Sequence, residues 1–267
     1  MCMGWGWYLQ NDMQIFILSI PILFLYNLKR NYAFIAIFLI MIGSLTYNLV
    51  EVQINEYITV AHRPDFIKWA EYFPDIYIKP WVRCPPYLYG LILGLLFMEF
   101  KKEEAEPSAE HEKGLFMKLK DVLENNINFR RAAQVIGFCL MMFIILIPRT
   151  LQVGHKWPQA MHSIYLTFGK LFFVIGVSMM VTPSLLGVKN DLVFFLMDTK
   201  FFHFIGKISF WTYLIHYNLI VIVLFSQKVD FYYEAINILP VYFPIVIMSL
   251  GCGFIGTLLV EMPFAHL

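Results

Sequence analysis

"GWGWYLQNDMQIFILSIPILF", residues 4–24, passes from a tryptophan-rich entry through Asn11, Asp12 and Gln14 into an apolar run that reaches Leu28. A transmembrane helix needs ~20 predominantly apolar residues. This run is the first of seven candidates: 13–28, 32–50, 86–100, 132–147, 163–183, 208–225 and 240–260. The first, third and fourth are short, so the set carries the reading better than any one member. A soluble protein with large buried helices is the alternative. It fits poorly with a chain that is 59% hydrophobic and 15% charged, with a mean hydropathy of +0.64. The alternation of a β-barrel is absent. The expected fold is all-α, a polytopic transmembrane helical bundle of about seven spans, forming a single membrane domain over residues 1–267.

With seven spans, loops 29–31, 101–131 and 184–207 share one side and hold twelve Lys and Arg, against seven in the opposite loops. The positive-inside rule then predicts a cytoplasmic 101–131 loop, an outer or lumenal N-terminus and a cytoplasmic C-terminus. Net charge of +1 offers no attraction for nucleic acid. "KKEEAEPSAEHEKG" (101–114) reads as a solvated loop, and "LFMKLKDVLENNINF" (115–129) as a candidate surface helix. Residues 51–85, with Trp69 and Trp81, are too aromatic for a solvated linker and are expected to pack on the membrane face or re-enter it. The N-terminus has no basic region or cleavage site of a signal peptide. A first span starting at residue 13 raises the expectation that a further segment precedes it. Cys2 and Cys84 fall on one predicted side, where a disulfide is feasible. No Cys/His cluster has metal-ligand spacing, and no metal or resident cofactor is expected. "GCGFIG" (251–256) satisfies a dinucleotide pattern but lies inside an apolar helix. It reads, like Gly90-x-x-x-Gly94, as close helix packing.

Polar groups within spans are expensive and usually paired or functional. Asn11 and Asp12 either cap the first span or face a cavity. Arg83, just before Pro85 and Pro86, either snorkels to the interface or holds an anionic group beside Tyr87. Lys170, two turns inside the fifth span, needs an acid, with Asp12 preferred over Glu261. Ser209, Tyr213 and His216 recur at i, i+4 and i+7 and so share one helix face, the expected wall of a polar cavity. Imidazole there can move protons. His62, His111, His155, His162, His203 and His266 sit in loops or at span edges and carry little signal.

"WYLQNDMQIF", "KPWVRCPPYLYGLILGLLF", "FFHFIGKISFWTYLIHYNLIV" and "EMPFAHL" occur in that order over residues 7–267. Together they resemble the C-terminal part of the acyltransferase 3 superfamily, nearest to the animal "nose resistant to fluoxetine" type. The resemblance implies an integral-membrane O-acyltransferase that moves an acyl group from acyl-CoA, as co-substrate, to a hydroxyl of a lipid or carbohydrate. Asp12, Arg83, Tyr213 and His216 fall on its motif positions; with the residue reading above, Asp12, Tyr213 and His216 are the catalytic candidates and Asn11, Arg83, Tyr87, Lys170 and Ser209 the substrate-binding ones. Lys170 stands where animal-type members tend to have Arg, and Lys cannot grip a carboxylate bidentately. Tyr217 stands where Pro is common. The superfamily's presumed catalytic His, about ten residues after an Arg in its first spans, has no counterpart here. The chain alone is therefore expected not to catalyse transfer, although Arg130, Arg131, Lys200 and Lys207 still offer a cationic mouth for acyl-CoA. Membrane lipids and an N-terminal half or other membrane subunits are the expected partners. An inactive acyltransferase-like subunit and a lipid transporter are the competing readings.

Overall fold

The computed structural model describes residues 6–59, 72–105, 114–152, 155–188, 191–226 and 235–265. Among them no strand occurs, and seven helices are long and apolar enough to cross a membrane. Each predicted span is present, and most are longer than predicted. Trp5, His62, Trp69, His111, His266 and the 106–113 part of the charged loop lie outside the described residues. The described chain divides into two compact units, Trp7–Phe194 and Phe195–Leu267.

The first unit holds α1 (Trp7–Leu28), α2 (Arg30–Ile54), α3 (Pro80–Ala105), α4 (Leu115–Asn125), α5 (Ile127–Leu146) and α6 (Gln159–Leu185). Its burial pattern inverts that of a soluble domain. Asn11, Ser19, Ser44 and Asn48 are buried, whereas Phe16, Ile20, Phe24, Ile35, Leu39 and Ile42 are exposed. Apolar faces turned outward and polar faces inward suit a hydrocarbon solvent, which cannot satisfy backbone or side-chain hydrogen bonds.

Two helix starts differ from the sequence reading. α1 begins at Trp7, so Asn11 and Asp12 lie more than a turn inside it. Asn11 does not cap it: the Nδ2 donates to the Ile78 carbonyl at 2.9 Å. α3 begins at Pro80, which places Pro85 and Pro86 inside the helix rather than at its mouth. Pro85 has no N–H for the Trp81 carbonyl four residues back. That carbonyl accepts instead from Ser44 Oγ on α2, so the neighbouring helix repairs the ladder. Beyond α3, α4 docks Leu123 onto Phe100, Leu186 and Val188. It stops at Asn125, and Asn126 Oδ1 accepts from Phe129 N–H at 3.0 Å to open α5. The predicted surface helix thus gives up residues 127–129 to a span.

α5 and α6 approach closely because two glycines face each other. A Cβ on Gly137 would stand 2.6 Å from the Gly176 carbonyl oxygen and 2.9 Å from Met179 Cβ; one on Gly176 would stand 2.7 Å from the Gly137 carbonyl oxygen. Gly137→Val therefore has to push two backbones apart. It is expected to destabilise the protein by at least ~1–3 kcal/mol, the usual overpacking range, read as a lowered Tm in detergent. Gly90→Val is the control, because nothing lies within 4 Å of a Cβ there. That open space also corrects the packing role predicted for Gly90 and Gly94.

The second unit contains α7 (Lys200–Phe225) and α8 (Ala235–Gly256), the latter continued by a π-helical turn, Thr257–Glu261. A Cβ on Gly253 would meet Thr212, and one on Gly256 would stand 2.7 Å from the Trp211 ring. Two glycines of "GCGFIG" do serve helix packing; the third, Gly251, faces open space.

Candidate functional site

The first unit holds a chamber of about 890 Å³, open on one side and lined by Tyr8, Asn11, Asp12, Ile15, Thr59, Tyr72, Tyr77, Arg83, Pro86, Tyr87, Tyr165, Lys170 and Phe173, among others. Five of the sequence candidates meet here: Asn11 and Asp12 from α1, Arg83 and Tyr87 from α3, and Lys170 from α6. They are separated by up to 159 residues, from Asn11 to Lys170. What gathers them is a short π-helical turn, Phe73–Tyr77, tied to the helices around it. Asn11 holds the Ile78 carbonyl just after this turn. Trp7 packs on Tyr77 and Phe73 with ring centroids 5.0 and 6.2 Å away.

Arg83 is fixed tightly. Its guanidinium carbon lies 4.6 Å from the Trp7 ring centre and 4.3 Å from that of Tyr77, and its Nε donates to the Tyr77 carbonyl at 3.1 Å. The two rings, themselves 5.0 Å apart, pack together against the guanidinium. Its Nη2 is buried with no hydrogen-bond partner. Lys170 approaches the same Tyr77 ring at 5.7 Å, and its Nζ is likewise buried without a partner. Asp12 shares the chamber but makes no ion pair with Lys170 or Arg83, so the predicted Asp12–Lys170 pair is not formed. The other candidate acid, Glu261, is exposed in the second unit. Tyr72 is 5% exposed. Burial pushes its phenol up to about 12, so it remains neutral beside Arg83.

His162, which the sequence gave no reason to choose, stands behind the lining residue Thr59. Its Nδ1 accepts the backbone N–H of Thr59 at 3.1 Å, which places the ring proton on Nε2 and anchors Thr59 at the lining. Cys84 is a buried free thiol; Cys2 lies outside the described residues.

Ser209, Tyr213 and His216 stand on α7 in the second unit. Ser209 is exposed, and its hydroxyl bonds back to the Gly206 carbonyl at 2.7 Å. Tyr213 and His216 are half-buried, with ring centroids 5.6 Å apart. His216 Nδ1 lies 2.5 Å from the Tyr213 carbonyl oxygen. A carbonyl can only accept, so Nδ1 donates, and in the neutral ring Nε2 is the nitrogen that carries the lone pair. This is the opposite tautomer to that of His162.

Arg130, predicted as a loop cation, is buried inside the first unit. Its Nε faces Asp191 Oδ1 at 3.9 Å, with both side chains under 8% exposed. Its charge is thus engaged with Asp191, whereas Arg131, Lys200 and Lys207 are exposed. Among the described residues no group of His, Cys, Asp and Glu is arranged to hold a metal ion.

The acyltransferase domain family matches residues 1–258 of the chain. Nose resistant to fluoxetine protein 6 of Caenorhabditis elegans is 25% identical over 270 residues, an alignment covering 98% of this chain and 31% of that protein. The chain therefore spans well under half the length of this curated relative. No solved structure matches it.

Proposed function

The chain belongs to the acyltransferase 3 family, and from that premise we propose that this multi-pass membrane protein transfers an acyl group from acyl-CoA to a hydroxyl of a lipid or carbohydrate. The early-span His that the resemblance implies as the base has no counterpart in this sequence. We therefore set aside the expectation of an inactive chain and place the base at His216, whose Nδ1 bonds the Tyr213 carbonyl. In the proposed reaction the acceptor hydroxyl oxygen attacks the thioester carbonyl, and His216 Nε2 takes its proton. The C–O bond forms and the C–S bond breaks, and the proton passes from the imidazolium to the leaving thiolate. Asn11, Arg83, Tyr87 and Lys170 in the chamber, and Ser209 on α7, are proposed to bind substrate. Asp12 is proposed to assist catalysis through its charge.

The excess of Lys and Arg in loops 29–31, 101–131 and 184–207 supports a cytoplasmic 101–131 loop, the side on which acyl-CoA would be offered. Sealed vesicles carrying the full protein test both points. With impermeant, radiolabelled acyl-CoA outside, label is expected to enter lipid or glycan only in vesicles whose 101–131 loop is cleaved by external protease. No transfer in either orientation refutes the function. Transfer only when the loop is protected refutes the orientation.

A further inference from the structure

We infer that the chamber of the first unit is a binding site for a monoanionic amphiphile, its carboxylate or phosphodiester group held by Arg83 and Lys170. The first ground is unspent donors. Arg83 Nη2 and Lys170 Nζ are both buried, and neither has a hydrogen-bond partner. Buried donors left unpaired are costly, charged ones most of all, and two of them facing one cavity are complementary to an anion that would satisfy both. The second ground is charge. Among the described residues lining the chamber, the formally charged ones are Arg83, Lys170 and Asp12. Their formal charges sum to one positive charge, and Tyr72 adds no anion because burial pushes its phenol up to about 12. A single negative charge on the ligand closes the balance.

The third ground is geometry. Trp7 and Tyr77 pack together against the guanidinium, and the Tyr77 carbonyl accepts from its Nε. The remaining donor edge is thus held in place before any ligand arrives. Lys170 shares the Tyr77 ring with Arg83, so both cations flank one aromatic wall. The rest of the lining includes Ile15, Ile144, Leu166, Phe173 and Val174, an apolar surface for the ligand's body. A volume of about 890 Å³ falls within the ~300–1,000 Å³ of small-molecule pockets. The inference assigns ligand chemistry to the chamber that the proposed function uses for substrate, and it rests on that reading only for calling the ligand a substrate.

The test is binding without acyl-CoA, on the full chain in nanodiscs with empty nanodiscs subtracted. The probes are fluorescent cis-parinaric acid, its neutral methyl ester, and lysophosphatidylglycerol as a competitor. The acid is expected to bind at least about tenfold tighter than the ester, the equivalent of one charge-assisted hydrogen bond. Arg83→Met and Lys170→Met should each remove that preference while ester binding persists, which shows that the variant is folded. Lys170→Arg should retain it. If Arg83→Met does not accumulate, Lys170→Met decides alone. Displacement of the acid by lysophosphatidylglycerol identifies a phosphodiester headgroup as a fitting source; failure to displace it identifies a carboxylate. Either result keeps the proposal. Equal binding of acid and ester, or a preference that survives both substitutions, overturns it. A protein that binds the acid and transfers nothing leaves this inference standing and refutes only the proposed function.

Discussion

His216→Ala is expected to lower acyl transfer by ~10²–10⁴-fold, the contribution of a positioned general base. The expectation follows from one hydrogen bond. In the first turn after Tyr213 the helix offers a carbonyl oxygen 2.5 Å from His216 Nδ1, and that acceptor selects the tautomer whose Nε2 has a free lone pair. A hydroxyl is a weak nucleophile until its proton has somewhere to go, and Nε2 is the place α7 provides. The loss should appear in kcat with the apparent affinity for acyl-CoA unchanged, because the proton moves only on the way to the transition state. Tyr213→Phe is the informative companion. It removes the phenol but keeps the main-chain carbonyl, so the tautomer survives; any fall in rate in that variant reports the hydroxyl alone. His162→Ala separates chemistry from architecture, because His162 Nδ1 is already occupied by Thr59 N–H. A kcat that is unchanged in His216→Ala would assign the base to another residue.

The two histidines also mark where sequence reasoning reaches and where it stops. The spans were legible because hydrocarbon tolerates little besides long apolar helices, and seven such runs stand in the chain. The site cluster was legible because Asn11, Asp12, Arg83 and Lys170 are each out of place in lipid. The pairings were not legible, because partners come from positions far apart in sequence. Asn11 read either as a cap or as a cavity residue, and its partner is the Ile78 carbonyl, 67 residues away. Arg130 looked like a solvated loop charge, and nothing local announces Asp191, 61 residues on. Gly90 and Gly94 match a packing motif and face open space. Gly137 and Gly176 lie on different helices, match no motif, and let α5 and α6 touch. The orientation of an imidazole depends on which backbone group reaches its Nδ1, and so His162 and His216 could be told apart only in three dimensions.

Asp191→Leu is expected to cost about 3–5 kcal/mol, the range for breaking a buried ion pair from one side. Asp191 is almost fully buried and works as a hub. Its Oδ1 accepts from Gln134 Nε2 at 2.8 Å and faces Arg130 Nε, and its Oδ2 accepts from Ser184 Oγ and the Phe194 N–H, both at 3.3 Å. The last bond caps the short helix Leu192–Met197, a contribution of ~1 kcal/mol by itself. Leucine fills the volume and removes every acceptor, leaving a buried guanidinium whose other contact includes a long 3.4 Å bond to the Leu123 carbonyl. Against a total stability of ~5–15 kcal/mol, that loss should be visible as poor accumulation in membranes and a sharply lowered Tm in detergent. The double variant Arg130→Leu/Asp191→Leu discriminates between lost packing and a stranded charge. Replacing both partners of a buried pair by apolar residues is often neutral or stabilising, so the double variant should recover much of what the single one loses. If the single variant melts with the wild type, the pair contributes nothing. If the double variant is as unstable as the single one, the carboxylate matters through Gln134, Ser184 and the helix cap, and not through Arg130.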